Sequence, residues 1–351
     1  MKNRKPHVTW ILSVILAAGI VLSGCGTVTE TEEADPPIPV KVLLLPKFEK
    51  GEMSGDDPGE AQFYYEAYLD GADVYDIPGG HAGSQLYVKD GVALYVTGMG
   101  KVNAALSTMA VLNDKRFDFS DAYIISTGCA GSARDTTVMG DVFVISAAVD
   151  YDLGHHADSR EMENPGIVTW FHDDDYDASA LVALDRDLTD RVYELVKDVK
   201  VETTERTRRY MLDTFDQEEW AGRDPKVLRG TVVSGDNYWK GRFDHENALH
   251  MVETYGCEDP FAAAEMEDVA IANTVRRLGM LDHLIVIRDS VNMDVFMLGT
   301  SPERLWDPEG STHSTESSTE YADIFPTAME NNYKVGRVII DAILNGTLVS
   351  D

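Results

Sequence analysis

The side chains of this chain that are suited to chemistry fall in a few short clusters. One segment, Glu265-Met266-Glu267-Asp268, places three carboxylates within four residues. Four others are rich in glycine and polar residues, at 98–101, 127–131, 235–239 and 289–294. Ionised carboxylates accept strong hydrogen bonds, and glycine turns present backbone N–H groups to anions. Any one cluster is typical of a tight turn, but their combination predicts a single site.

The segments that must position these clusters alternate between strands and helices. Short apolar runs predict buried strands at 40–45, 92–97, 122–126, 141–149, 228–234 and 284–287. Helical spacing predicts helices at 60–69, 102–112, 262–277 and 326–344. This alternation indicates an α/β fold. Ligands of such folds bind beyond the carboxyl ends of the strands, and the four glycine and polar clusters follow predicted strands.

The N-terminal residues predict an exported lipoprotein. Basic residues precede an apolar run at 8–22, which is shorter than the roughly 20 residues that a membrane-spanning helix needs. Small residues and Cys25 follow, so we expect cleavage before Cys25 and lipidation of its sulfur. We predict a signal peptide at 1–24, a lipidated tether at 25–39 and the folded domain at 40–351. The domain would be anchored to the outer face of the bacterial cell membrane.

Composition excludes several classes of partner. The formal net charge of −31 repels nucleic acid and anionic lipid headgroups. Cys129 and Cys257 are the cysteines left after lipidation, and they could pair, although Cys129 lies in a glycine turn. No Cys/His spacing suits a metal. We therefore expect no nucleic-acid partner, no metal and no cofactor.

Seven stretches, in order, resemble the purine nucleoside permease family, which shares the nucleoside phosphorylase and nucleosidase fold. The resemblance covers roughly residues 41 to 346. It implies a single α/β domain with a central mixed, curved sheet flanked by helices. The stretches are TGMGKVNAA (97–105), KRFDFSDAYIISTGCAG (115–131), YDLGHHADSRE (151–161), SGDNYWKG (234–241), AAEMEDVAIA (263–272), IVIRDSVN (285–292) and AMENNYKVG (328–336).

The resemblance assigns the carboxylate segment to a ribose. Glu267 matches the sugar-binding glutamate of the family, whose carboxylate accepts from the 2′- and 3′-hydroxyls. Met266 would lie against the apolar face of the sugar, where a thioether packs well. Glu265 is placed in the same ribose-binding group. The alternative is that Met266 belongs to the core and Glu267 is a charge at a helix N-terminus.

The resemblance also implies a base site. Tyr238 matches the aromatic residue that stacks on the purine in nucleosidases. Trp239 either belongs to the core or exchanges roles with Tyr238. Asp236, in the same segment, is placed in the same base-binding group. Asn292 matches the position at which nucleosidases carry an acidic aspartate. An amide donates and accepts hydrogen bonds but cannot protonate a leaving base. Phosphorylases that are specific for 6-oxopurines carry an asparagine at this position, so the resemblance implies that Asn292 favours 6-oxopurines. The missing acid argues against efficient cleavage.

An anion or water pocket is expected at Thr127, Gly128 and Cys129. Many phosphorylases carry an arginine and a phosphate-binding serine where this chain has Ser126 and Cys129. The phosphate site is therefore incomplete, and hydrolysis is favoured over phosphorolysis if the chain is active.

Nucleosidases use a glutamate early in the chain to activate water. Glu60 is the first candidate for that role, with Glu49 and Glu52 left open. Asp294 is a further catalytic candidate, and Asp289 lies close to it in the sequence.

Two functions follow from the resemblance. The first is purine nucleoside binding at the cell surface in support of uptake, with a membrane transporter as partner. The alternative is an exported nucleosidase or phosphorylase that cleaves the N-glycosidic bond, the latter with phosphate as co-substrate. Both use the same pocket and differ in turnover. Relatives with this fold usually form homo-oligomers, which the resemblance extends to this chain.

Overall fold

The computed structural model describes residues 35–156, 161, 163, 169–170, 178–215, 219–296 and 315–348. The predicted signal peptide and Cys25 lie outside these residues. The strands, numbered in chain order, are β1 Ile38–Pro39, β2 Val42–Leu45, β3 Asp73–Asp76, β4 Gln85–Lys89, β5 Val92–Tyr95, β6 Phe117–Asp118, β7 Tyr123–Ser132, β8 Val142–Asp150, β9 His155–His156, β10 Thr169–Trp170, β11 Leu181–Ala183, β12 Val227–Ser234, β13 Phe261–Glu265 and β14 Leu284–Met293.

Helices lie between most of the longer strands. Helix α1 is short and continues as a π-helical turn over Tyr65–Leu69. Short 3₁₀ turns occur at Glu219–Gly222 and Leu281–His283. The helices are α1 Gln62–Tyr64, α2 Lys101–Leu112, α3 Arg186–Val196, α4 Glu205–Thr214, α5 Arg242–Thr254, α6 Asp268–Arg277 and α7 Thr315–Leu344.

Ten of the described strands form one mixed sheet. Nine follow the order β11-β8-β12-β13-β7-β2-β5-β4-β3, and β14 pairs with both β7 and β8. Strand β14 runs parallel to β7 and antiparallel to β8. Because β14 bridges these two strands, β8, β12, β13, β7 and β14 close into a ring. The ring curves the sheet strongly and brings the ends of its strands together.

The hydrophobic core lies on both faces of the sheet. Strands β2, β5 and β14 are buried along their whole length, as continuous apolar runs predict. Side chains of α2 and α6 pack in one apolar cluster, and those of α1, α3 and α7 pack in the other. The mixed α/β architecture with helices on both faces agrees with the predicted fold class.

The predicted helix at 262–277 is wrong in its first part. Residues Phe261–Glu265 form strand β13, and helix α6 begins only at Asp268. Alanine favours helices, but here the small side chains allow close packing against β12: a Cβ placed on Gly230 would lie 2.2 Å from the Cβ of Ala262. Tertiary pairing therefore overrides the local propensity.

Other differences concern elements that the periodicity did not indicate. Strands β3 and β4 and helices α3, α4 and α5 were not predicted, and α7 begins before Pro326 rather than at it. The helices of the described residues are all too short or too polar to cross a membrane.

Candidate functional site

The candidate site lies where the carboxyl ends of β2, β7, β12, β13 and β14 meet. A cavity of about 140 Å³ opens there, and every cluster singled out in the sequence contributes to its wall. The lining residues are Lys47, Phe48, Glu60, Met99, Cys129, Ala130, Gly131, Asn237, Tyr238, Trp239, Ala264, Glu265, Met266, Glu267, Arg288, Val291, Asn292 and Asp294.

Arg288, in the middle of β14, is the central cation of the site and is 1% exposed. Its Nε and Nη2 donate to the two carboxylate oxygens of Asp268 at 2.8 and 2.9 Å. Nη2 also donates to Glu265 at 2.8 Å and to Glu267 at 3.1 Å, and Nη1 donates to the Cys129 carbonyl at 2.9 Å. Burial opposes the charge, but the three carboxylates outweigh it and hold the pKa of Arg288 well above its usual value. The guanidinium therefore stays ionised and fixes all three carboxylates.

Glu267 presents its carboxylate at the cavity wall. Its Oε1 accepts from the backbone N–H of Gly100 at 2.8 Å, and its Oε2 accepts from Arg288. Gly100 adopts a φ of 88° directly before α2, so this N–H belongs to a helix N-terminus, which favours a negative charge. Burial raises the pKa of Glu267, although the charges of Arg288 and Lys47 oppose that shift.

Glu265 shapes the backbone that carries Glu267. Its Oε2 accepts from the N–H groups of Glu267 and Asp268 at 2.6 and 2.8 Å, so it caps helix α6. Its other oxygen is hydrogen-bonded to the Ser234 hydroxyl, which also accepts from the N–H of Val269 at 3.0 Å. Burial and the charge of Asp268 raise the pKa of Glu265 to about 7. Glu265 lines the cavity, but its oxygens bond to the backbone of Glu267 and Asp268 and to Ser234. Met266, between the two glutamates, also lines the cavity.

Lys47, which the sequence did not single out, lies buried below the carboxylates. Its Nζ donates to the Leu45 carbonyl at 3.0 Å, the Ser126 hydroxyl at 2.7 Å and the Thr127 carbonyl at 2.9 Å. The same nitrogen lies 3.7 Å from Asp268. Burial and the charge of Arg288 lower the pKa of Lys47. A lysine in a polar loop gives no local signal of such a role.

The structure places the three candidate glutamates, Glu49, Glu52 and Glu60, in different environments. Glu60 is 6% exposed and lines the cavity, where its oxygens accept from the N–H groups of Lys47 at 2.7 Å and Cys129 at 2.9 Å. Glu49 instead accepts from backbone N–H groups that lead into α1, including those of Ala61 and Gln62. Glu52 is exposed. Glu60 is therefore the early glutamate at the main cavity.

Asn292 and Tyr238 both line the cavity and contact each other there. The Asn292 amide donates to the Tyr238 hydroxyl at 2.9 Å, and the tyrosine side chain is 62% exposed at the cavity mouth. Trp239 contributes to the wall but stacks on Tyr151, with ring centroids 5.0 Å apart, and packs against Phe261. Tyr238 is therefore the more accessible aromatic surface, and Trp239 belongs largely to the core.

Asp236 does not line the cavity, in contrast to its predicted place at the base. Its carboxylate accepts from the N–H of Lys101 at 2.8 Å, at the N-terminus of α2. Asp152 accepts from the backbone of Asp236 at 2.6 Å and from the side chain of Asn237 at 3.0 Å. These bonds fasten the loop that carries Tyr238 to the start of α2 and to the segment that follows β8.

The predicted anion or water pocket is reached by only one of its three residues. Cys129 lines the cavity, but its N–H is already donated to Glu60, and burial raises the pKa of its thiol. The Thr127 hydroxyl is turned away to the side chain of Asn332, and the Gly128 carbonyl accepts from the same amide at 3.4 Å. These residues, predicted to form a turn, lie within strand β7, and their polar groups bond to the protein itself at positions expected to bind an anion.

Asp294 lines the cavity two residues beyond Asn292 and is 2% exposed. Its Oδ2 lies 2.5 Å from Nδ1 of His245, and its Oδ1 accepts from the N–H of Arg134 at 3.2 Å. Asp289 is absent from the cavity lining; it is buried, and one of its oxygens accepts from Asn332 at 2.8 Å. Sequence reasoning missed His245, whose helix was not predicted.

The described residues contain no group of three or more metal-ligating side chains. Within the same part of the chain Cys129 and Cys257 are both free thiols. The arrangement is thus a buried set of carboxylates and two cations around a partly apolar cavity. It is suited to hydroxyl-rich ligands that carry a flat ring.

A family model described as purine nucleoside permease matches residues 39–347. A probable purine nucleoside permease of Schizosaccharomyces pombe is 28% identical over 268 residues, which are 71% of this chain and 74% of that protein. A 5′-methylthioadenosine/S-adenosylhomocysteine nucleosidase of Mycobacterium bovis is 27% identical over 177 residues. That match spans 47% of this chain and 60% of the nucleosidase.

Solved structures of nucleosidases share the fold. One is the 5′-methylthioadenosine/S-adenosylhomocysteine nucleosidase of Colwellia psychrerythraea, crystallised with adenine. It superposes with a TM-score of 0.53 at 19% identity, over 87% of this chain and 95% of that one. At this identity the likeness establishes the fold alone, and it confirms the predicted α/β fold of the nucleoside phosphorylase type.

Replacing Arg288 by methionine removes the charge and keeps most of the side-chain length. We expect Arg288→Met to lower the free energy of unfolding by about 3–5 kcal/mol, because three buried carboxylates lose their shared partner. Arg186→Met is the matched control, since Arg186 is 69% exposed and pairs with Glu258 at the surface; it should change stability by less than about 1 kcal/mol. Urea unfolding of both variants measures the difference, and equal stabilities would contradict the central role of Arg288.

Proposed function

The chain belongs to the purine nucleoside permease family, and from that membership and its cavity we propose that it binds a purine nucleoside in support of nucleoside uptake. The permease and nucleosidase names of its relatives, and the adenine bound in one structural neighbour, support a purine nucleoside as the ligand. The chemistry of the cavity supports the same class, as the following contacts explain.

The position of Glu267 is the observation that carries the proposal. Each of its oxygens accepts one internal hydrogen bond, from Gly100 or from Arg288, and the side chain lines the cavity. A carboxylate oxygen has two lone pairs, so each oxygen retains one for a ligand. A pair of neighbouring hydroxyls, as on a ribose, matches that acceptor set. The bonds would be charge-assisted and therefore strong.

The base would lie between Tyr238 and Asn292. Tyr238 offers an aromatic face at the cavity mouth. The Asn292 amide donates one N–H to the tyrosine hydroxyl, which leaves its other N–H and its carbonyl oxygen to bond the base. A 6-oxopurine presents both an acceptor and an N–H on its ring, so it pairs with such an amide. We therefore propose hypoxanthine and guanine nucleosides as preferred ligands.

Hydrolysis of the N-glycosidic bond is the second candidate function, and Glu60 favours it. Its carboxylate faces the same cavity as Glu267 and is held by two backbone N–H groups. A fixed carboxylate within reach of a ligand is suited to act as a general base toward water. The two functions share one cavity, so binding alone does not distinguish them.

The residues that line the cavity support phosphorolysis less well than hydrolysis. Lys47 and Arg288 are the cations among the described lining residues, and both are already bound to carbonyls, hydroxyls or carboxylates. The backbone N–H of Cys129 is donated to Glu60. A phosphate would have to displace these internal bonds to find donors.

The first experiment measures binding and turnover together. The purified chain is mixed with inosine, guanosine or adenosine, with and without phosphate, while calorimetry follows binding and chromatography follows free base. Binding without release supports a nucleoside-binding function, and release without phosphate supports hydrolysis. Absence of binding to all three nucleosides would exclude the proposal.

Glu267→Gln tests the ribose contact. We expect inosine to bind roughly 10- to 100-fold more weakly, because a charge-assisted acceptor is lost, at a cost of about 1.5–3 kcal/mol. Glu253→Gln, at an exposed position of α5, is the matched control and should bind like the unmodified chain. Calorimetry gives both dissociation constants, and an unchanged value for Glu267→Gln would exclude its ribose role.

Glu60→Gln tests hydrolysis. If the unmodified chain releases base without phosphate, we expect this variant to be slower by about 100-fold or more, since an amide cannot accept a proton from water. Glu52→Gln changes an exposed glutamate in the same loop and serves as the control. Equal rates for the two variants would assign the general base elsewhere.

We also propose that the chain is lipid-anchored through Cys25 at the cell surface, where a membrane transporter would receive the nucleoside. This rests on the basic, apolar and small-residue pattern that precedes Cys25. Cells fed a fatty-acid probe should incorporate it into the unmodified chain and not into Cys25→Ala. Equal labelling of the two chains would contradict lipidation at this cysteine.

A further inference from the structure

We propose that Asp294, His245 and Asp135 form a proton relay that supplies the purine base in the cavity with a proton from solvent. The inference rests on the proposed nucleoside site and on its hydrolytic candidate function. It assigns the acid that position 292 does not provide, because the Asn292 amide has no acidic proton.

The three side chains form a continuous path from the cavity to the surface. Asp294 lines the cavity, and its Oδ2 lies 2.5 Å from Nδ1 of His245. The other imidazole nitrogen, Nε2, lies 3.2 Å from Oδ2 of Asp135. Asp294 and His245 are 2% and 3% exposed, whereas the Asp135 side chain is 52% exposed. Both ring nitrogens thus face a carboxylate, one buried and one in water.

The elements around the imidazole hold it in this orientation. His245 lies in α5, Asp294 follows β14, and Asp135 follows β7. The ring of Phe261 covers the imidazole at a centroid distance of 5.8 Å. Among the described residues, Arg134 also contacts this group: its backbone N–H donates to Asp294, and its guanidinium lies 3.1 Å from Asp135. The imidazole is therefore placed between two acids, with an aromatic ring beside it.

The electrostatics favour one proton shared between Asp294 and His245. Burial raises the pKa of the Asp294 carboxyl, and the hydrogen bond from His245 opposes this shift. For His245, burial lowers the pKa, but the carboxylates of Asp294 and Asp135 outweigh it and raise the pKa above its usual value. A buried pair of this kind titrates as a unit. It carries a transferable proton up to a higher pH than a solvated carboxyl does.

The chemical step balances with this proton. Water attacks C1′ of the ribose, forms the new C–O bond and gives a proton to Glu60. The C1′–N9 bond breaks, its electron pair stays on the purine, and Asp294 donates a proton to a ring nitrogen of that purine. His245 then returns a proton to Asp294 and takes one from solvent along Asp135, while Glu60 releases to solvent the proton that it took from water. The net reaction adds one water and yields a free purine and a pentose.

The test compares Asp294→Asn, His245→Asn and His250→Asn in the full chain. His245→Asn keeps a donor toward Asp294 but cannot carry a proton through the ring. His250 lies on the same helix, its ring contacts only Thr254 among the contacts described, and it serves as the matched control. Base release from inosine gives kcat and KM between pH 5 and 9, calorimetry gives the affinity, and thermal melting reports folding.

For Asp294→Asn we expect kcat to fall about 100-fold or more, with a much smaller change in affinity. For His245→Asn we expect a fall of about tenfold. The pH profile of kcat should also change, because the carboxyl then titrates without the imidazole. His250→Asn should match the unmodified chain in rate and in pH profile.

Three outcomes would overturn the relay. One is that the unmodified chain binds inosine but releases no base at any pH, which leaves the proposed binding function intact. Another is that Asp294→Asn turns over like the His250→Asn control. The third is that His245→Asn is less stable but keeps the unmodified pH profile, which assigns the histidine a structural role. Absence of inosine binding by the unmodified chain is different, since it removes the proposed function itself.

Discussion

The buried guanidinium of Arg288 is the interaction on which the site depends. It joins Asp268, Glu265 and Glu267 from two other elements in bonds of 2.8 to 3.1 Å. Burying a charge costs several kcal/mol unless partners and hydrogen bonds compensate. The carboxylates have the same requirement, so none of the four side chains is stable there without the others. The end of β13, the start of α6 and the middle of β14 must therefore meet in one geometry, and that geometry places Glu267 at the cavity.

Hydrogen bonds at two helix N-termini are a second set of interactions that positions the site. Glu265 caps α6, while Glu267 and Asp236 accept the first free N–H groups of α2. Each helix thus bonds its first backbone donors to carboxylates in or beside the site rather than to the side chain of its own N-cap residue. The bonds also fix the loop that carries Tyr238. The same contacts therefore cap the helices and position the side chains of the site.

The closed ring of strands explains why residues so distant in sequence share one cavity. Strand β14 pairs with both β7 and β8 and closes the ring, so segments that are far apart in the sequence become neighbours. Ser126 donates to Asp268 across 142 positions of sequence. The family, the fold and the cavity agree in favour of a nucleoside ligand. Cleavage of the bond of that ligand depends on Glu60 and Asp294, which both line the cavity.

The sequence alone determined the α/β class, the family, and the segments that reach the cavity, among them Glu267, Met266, Tyr238 and Asn292. Its apolar runs and motif order encode these features locally, within a few residues of each other. Only the tertiary structure distinguished Glu60 from Glu49 and Glu52, moved Asp236 out of the cavity and turned 261–265 into a strand. It also brought in Arg288, Lys47 and His245. These outcomes depend on burial and on partners tens to hundreds of positions away, and residue spacing carries no information about such contacts.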